Sequence, residues 1–158
     1  MFDLHMKLEF VDRDVEATME TMTDEPYVHN VATLTGGQGQ RGVREFYTKY
    51  LVGKMPEDMK LIPISRTVGR NQVVDEFILC FTHDVPIEFM LPGITPTGKY
   101  VELPLIAVIG FEGNKIAQER IYWDQASLLA QVGLLDSQAL PVRGAEQPRR
   151  LLEITQKA

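Results

Sequence analysis

Two long extended segments, 100–111 and 115–124, meet at Glu112-Gly113-Asn114, a short glycine turn of the kind that closes a β-hairpin. Two more extended segments, 61–67 and 73–84, precede them, and all four follow a stretch with helical periodicity. There Val11, Val15, Met19 and Met22 recur at helical spacing and form one apolar stripe, with acids on the other side. Thr23-Asp24-Glu25-Pro26 predicts the end of that helix, because the residue before a proline avoids helical dihedrals. Segment 27–34 then reads as short and extended. Segment 43–51 reads as a second helix, with Phe46, Tyr47, Tyr50 and Leu51 at three-and-four spacing. Helices followed by a run of antiparallel strands predict an α+β fold. The expected shape is N-terminal helices packed in a strongly curved antiparallel sheet, a cone with an internal pocket of the kind that binds small ligands.

Between the strands, 85–98 carries Pro86, Pro92, Gly93, Pro96 and Gly98 and predicts a shaped loop, while 35–42 is glycine-rich and predicts a flexible turn. A short helix is expected over 125–135. Residues 1–140 read as a single domain. The tail, 141–158, is expected to pack on the same domain, either lying across its surface or holding a last helix.

The chain's 158 residues include 16 Lys plus Arg and 22 Asp plus Glu, a formal net charge of −6. That balance offers no electrostatic footprint for nucleic acid or an anionic membrane. No run approaches the ~20 apolar residues needed to span a bilayer. One cysteine, Cys80, leaves no internal disulfide and no multi-cysteine zinc site. With no secretory signal at the start, a cytoplasmic protein is expected. His5, His29 and His83 are scattered along the chain without metal-ligand spacing, so no metal and no cofactor is expected.

Several blocks together resemble the nuclear transport factor 2-like superfamily, which holds SnoaL-like polyketide cyclases, ketosteroid isomerase, scytalone dehydratase and limonene epoxide hydrolase. They are Asp24-Glu25-Pro26-Tyr27-Val28-His29-Asn30, Phe81-Thr82-His83-Asp84, the 90–98 loop, and Glu119-Arg120-Ile121-Tyr122-Trp123-Asp124. Within the superfamily the set is similar to a little-characterised SnoaL-like group, some of whose members are called dienelactone hydrolases. Cys80, in Leu79-Cys80-Phe81, lacks the flanking glycines of the nucleophile elbow such hydrolases use.

The resemblance carries an acid/base role onto Asp124. A carboxylate beside Tyr122 and Trp123 would be poorly solvated and able to move a proton near neutral pH. Its alternative role is the N-cap of the helix that begins at Gln125. His83 shares a strand parity with Phe77, Leu79 and Phe81 and could polarise an oxygen; the other reading is a histidine held by a backbone carbonyl. Tyr27 and His29 share a parity after the first helix and line either a pocket mouth or a surface turn. On the last strand, parity allows a pocket of Arg120, Tyr122 and Asp124, or one of Glu119 and Trp123.

Two functions stay open. One is a cyclase, isomerase or hydratase that moves protons, without a cofactor, on an apolar carbonyl or lactone compound. The other is a non-catalytic module that binds or scaffolds through the same pocket. Strand 100–111 is apolar on both parities between Pro104 and Ile109, where a half-solvated sheet should alternate. A homodimer through the sheet is therefore expected, as the resemblance also implies, with the tail as the rival cover.

Overall fold

The computed structural model describes residues 1–156. Its sheet has six strands: β1 (Met22–Asn30), β2 (Thr35–Gln38), β3 (Lys60–Val68), β4 (Gln72–Thr82), β5 (Tyr100–Glu112) and β6 (Lys115–Trp123). They lie in the order β2-β1-β6-β5-β4-β3. Neighbours run antiparallel except β1 and β6, which are parallel, a departure from the purely antiparallel expectation. That pairing follows from the β5–β6 hairpin bringing β6 back beside the strand that leaves the N-terminal helices.

Helices α1 (Phe2–Lys7), α2 (Val15–Glu20) and α3 (Gly39–Phe46) precede the long strands; α4 (Gln125–Gln131) and α5 (Glu146–Thr155) follow them. The curved, unclosed sheet and its helices make the α+β cone. Val101, Leu103, Leu105, Ala107 and Ile109 of β5 all point inward and are buried, as period-two alternation requires.

The N-terminal region differs from the single helix expected over 11–22. Phe2, Met6, Glu9 and Phe10 form their own helical stripe, and α1 continues through a π-helical turn, Leu8–Asp12. Arg13 then turns left-handed, with φ of 55°. Asp14 caps α2, its carboxylate accepting from the Ala17 amide at 3.0 Å. Met22, assigned by spacing to the helical stripe, opens β1 instead.

Residues 35–38 are an edge strand rather than a flexible turn. Gly36 and Gly37 pair with His29 and Val28. A Cβ on Gly37 would sit 2.3 Å from the Gly42 carbonyl oxygen, so only glycine lets this strand meet the start of α3. The 83–98 loop is clasped at its neck, where the His83 amide donates to the Lys99 carbonyl and the Gly98 amide to the His83 carbonyl.

Helix α5 rests on the outer side of β5, where Arg149 pairs with Glu102 at 2.9 Å. Residues 157 and 158 of the expected tail lie outside the described residues. Further along that outer face, Ile106 and its cross-strand neighbour Tyr122 stay 42% and 41% exposed, so α5 leaves this part of the face uncovered. No helix among the described residues is long and apolar enough to cross a membrane.

Candidate functional site

The inner face of the sheet and α1 enclose a cavity of about 80 Å³. Phe2, Phe10, Phe46, Phe77 and Phe89 supply five of its walls, and Leu105, Ala107 and Ile109 form part of its floor. Three polar residues reach the same cavity: Glu9 from the end of the first helical segment, Asn30 from the end of β1, and Glu119 from β6. All three are at least 95% buried, and a polar group so placed demands a partner or a function.

Behind Glu119 stands a hydrogen-bonded cluster. His5 Nε2 lies 3.0 Å from Glu119 Oε1, and the Tyr47 hydroxyl donates to Glu119 Oε2 at 3.1 Å. His5 Nδ1 is 2.6 Å from the Thr21 hydroxyl, which spends its single proton on the Thr18 carbonyl, also at 2.6 Å. Thr21 can therefore only accept from His5, so Nδ1 must carry a hydrogen. Burial pushes the His5 pKa down, but the charge and hydrogen bond of Glu119, with help from Glu9, outweigh it and raise the pKa above 6.5. With Nδ1 donating to Thr21, Nε2 and Glu119 Oε1 share a further proton across their 3.0 Å contact. Tyr47 is held firmly as the neutral phenol by burial and by the same two acids.

Glu9 is different. Burial, opposed by His5 and reinforced by the negative charge of Glu119, raises its pKa to about 8. At pH 7 it is a neutral acid opening onto an apolar cavity. A smaller depression, lined by Arg13, Pro56 and Glu57, shares Glu9, Phe10, Leu51 and Met55 with the cavity, so Glu9 stands where the two adjoin.

Of the residues singled out from sequence, Asp124, Trp123, His83, Tyr27, His29, Arg120 and Tyr122 divide into four places, none of them lining this cavity. Asp124 is exposed and caps α4, accepting from the Ser127 amide at 3.1 Å and from the Gln147 side chain of the α5 region at 2.7 Å. Trp123 lies edge-on to Phe89, so it backs a cavity wall without lining the cavity, and its indole N–H donates to Gln125. His83 is fully buried at the neck of the 83–98 loop; its Nδ1 accepts from the Thr97 amide, and burial lowers its pKa. Tyr27, His29 and Arg120 do meet, but on the outer face, in an open groove beside Gly36. There the Arg120 guanidinium donates to the Tyr27 hydroxyl and the Gln118 carbonyl, both at 2.8 Å. Tyr122 projects from that outer face as well.

Of the two parities left open on the last strand, the one carrying Glu119 faces the cavity. His5, Glu9 and Asn30 were not singled out as site residues. The signal for the first two was a His and a Glu at i, i+4 within the Phe2, Met6, Phe10 stripe, polar groups on an apolar face. Asp124→Ala is expected to cost about 1 kcal/mol of stability through the lost cap, a fall of about 2–4 °C in Tm, and to leave any cavity chemistry intact. Thermal melts and an activity assay on one preparation check both halves. Among the described residues no group of three or more His, Cys, Asp or Glu side chains is arranged to hold a metal ion.

The α+β cone is a fold described as ketosteroid isomerase-like in a solved structure. The SnoaL-like polyketide cyclase family model matches residues 4–132, and the chain belongs to that family. Solved structures share the fold at low identity. A candidate SnoaL-like polyketide cyclase from Jannaschia sp. CCS1 is 14% identical, with a TM-score of 0.66 over 85% of this chain and 92% of its own. A candidate polyketide cyclase from Acidithiobacillus ferrooxidans is 19% identical, with a TM-score of 0.64 over 83% and 90%. A protein with a ketosteroid isomerase-like fold from Catenulispora acidiphila DSM 44928, in complex with trimethylamine, is 15% identical, with a TM-score of 0.59 over 77% of this chain and 84% of its own. No curated protein matches the chain.

Proposed function

We propose that the protein catalyses cofactor-independent proton transfer on a small apolar carbonyl or lactone compound held in the cavity, an isomerisation or cyclisation. The observation that carries this reading is a pair of buried carboxyl groups in different surroundings on one apolar cavity, Glu9 with its pKa raised to about 8 and Glu119 held by His5 and Tyr47. Two carboxyl groups in such different surroundings can divide the work of acid and base.

In the reaction, the Glu119 carboxylate removes a proton from the carbon next to the carbonyl. The electron pair of that C–H bond moves into the new C=C bond, and the carbonyl oxygen takes the developing charge and a proton from Glu9. Delivery of the Glu119 proton to another carbon of a conjugated enol, as the enol O–H returns its proton to Glu9, gives an isomer; attack of the enol carbon on a second carbonyl, whose oxygen takes the Glu119 proton while the enol O–H returns its own to Glu9, closes a ring. The five phenyl walls exclude water, and exclusion of water strengthens each of these electrostatic effects. The direct test is deuterium incorporation next to the carbonyl in a panel of cyclic ketones and lactones in D₂O. Exchange that depends on the protein supports the reading. Saturable binding without exchange favours the module that only binds.

The exposed Ile106 and Tyr122, with half-buried Val108 between strands, favour a homodimer through the outer face. Light scattering at micromolar concentration is expected to give twice the mass of one chain. A single-chain mass would show that α5 provides all the cover the face needs.

A further inference from the structure

Asn30 ends β1 on the inner face, and its place is rigid: its backbone pairs with Thr35 and Ile121, and its carbonyl accepts from the Leu34 amide at 2.9 Å. The side chain lines the cavity, is 2% exposed, and has an amide nitrogen, Nδ2, with no hydrogen-bond partner among the described residues. A buried amide donor left unpaired is costly, and native proteins seldom keep one without a use. We propose that Asn30 selects the ligand: its amide donates to a single oxygen acceptor on an otherwise apolar compound, so the cavity takes neutral ketones, lactones or enones and rejects both pure hydrocarbons and carboxylates.

Each exclusion has its own cause. A hydrocarbon fills the phenyl-walled space but leaves the Asn30 donor unpaired. A carboxylate offers acceptors, yet it would bring a negative charge into an apolar cavity with no Lys, Arg or His among its lining residues, where burial opposes it. A neutral carbonyl meets the donor and adds no charge. The volume of about 80 Å³ restricts the fit to small rings or to one end of a longer molecule.

The inference deepens the proposed proton transfer and rests on the same cavity, but it is tested by binding alone. The probes are cyclopentanone, methylenecyclopentane and cyclopentanecarboxylate, which share a ring and differ in the group it carries. The wild-type protein is expected to bind the ketone about tenfold more tightly than the alkene, the value of one hydrogen bond made against one left unmade, and to show no saturable binding of the carboxylate. In ¹⁵N-resolved spectra the Asn30 side-chain N–H signals are expected to shift with the ketone and not with the alkene. Asn30→Leu is expected to reduce the preference by weakening ketone binding while keeping or improving alkene binding, leaving only what the Glu9 carboxyl contributes. The side-chain signals in the wild type decide the matter even if that variant folds poorly. Equal affinity for ketone and alkene, no ketone binding, or unmoved Asn30 signals on saturation would each overturn the proposal. Failure of deuterium exchange alone would sink the catalytic reading and leave this one standing.

Discussion

Glu9→Gln is expected to reduce exchange next to a substrate carbonyl by about 10²–10⁴-fold, the usual contribution of a positioned general acid. Glutamine keeps the shape and can donate a hydrogen bond, but it has no proton to give. The wild-type rate should fall as pH rises past about 8, where Glu9 ionises, and the variant should lack that limb. Stability should fall with rising pH as well. The pKa of Glu9 rises from 4.5 to about 8 on folding, so between those values the folded chain holds a proton that the unfolded chain has released. Stability is then lost as pH rises through this window, by at most about 1.4 kcal/mol per pH unit for one proton. His5, also raised, adds to the same slope above pH 6.5. Glu9→Gln removes the larger part of it, so the variant should be the more stable protein at pH 8 and the two should converge near pH 4. Melting curves at four pH values, with rate profiles alongside, check both claims. A variant with wild-type rates would remove Glu9 from the mechanism.

The strands were legible because each carries its own pattern and punctuation. Gly113 closes the β5–β6 hairpin, and the alternation of Val101 to Ile109 marks an inner face. Segment 2–12 was less legible because its stripe is interrupted. A local reading treats His5 and Glu9 as solvent-facing breaks, whereas His5 finds partners distant in sequence, Tyr47 and Glu119, and Glu9 is buried on the same face. The parity of β6 offered two faces of mixed polarity, and only the packing of α1 selects the one with Glu119. Asp124 drew attention through its aromatic neighbours, but Trp123 turns toward Phe89 while Tyr122 turns outward, and neither shields the carboxylate. What a carboxyl group can do depends on water being absent from its surroundings, and adjacency in sequence says little about that.

Glu119→Leu is expected to be the most damaging single change in the molecule. It removes the counter-charge of His5, which is fully buried, and the acceptor of the Tyr47 hydroxyl. Breaking a buried pair from one side costs about 3–5 kcal/mol, which at 2–4 °C per kcal/mol lowers Tm by about 6–20 °C. Catalysis should vanish with it. The triple variant His5→Leu, Tyr47→Phe, Glu119→Leu should recover most of that loss, because it removes every group left wanting a partner; Thr21 keeps its bond to the Thr18 carbonyl. Replacing a whole buried polar cluster by apolar side chains of similar volume is often neutral or stabilising. The expected result is a folded protein, as stable as the wild type or more so, whose cavity keeps Glu9 and Asn30 but shows no proton transfer. Such a result would mean that the cluster is kept for its chemistry, since the fold stands without it. If the triple variant is instead as unstable as Glu119→Leu alone, the His5–Tyr47–Glu119 cluster is structural and the base must be sought elsewhere on the cavity wall.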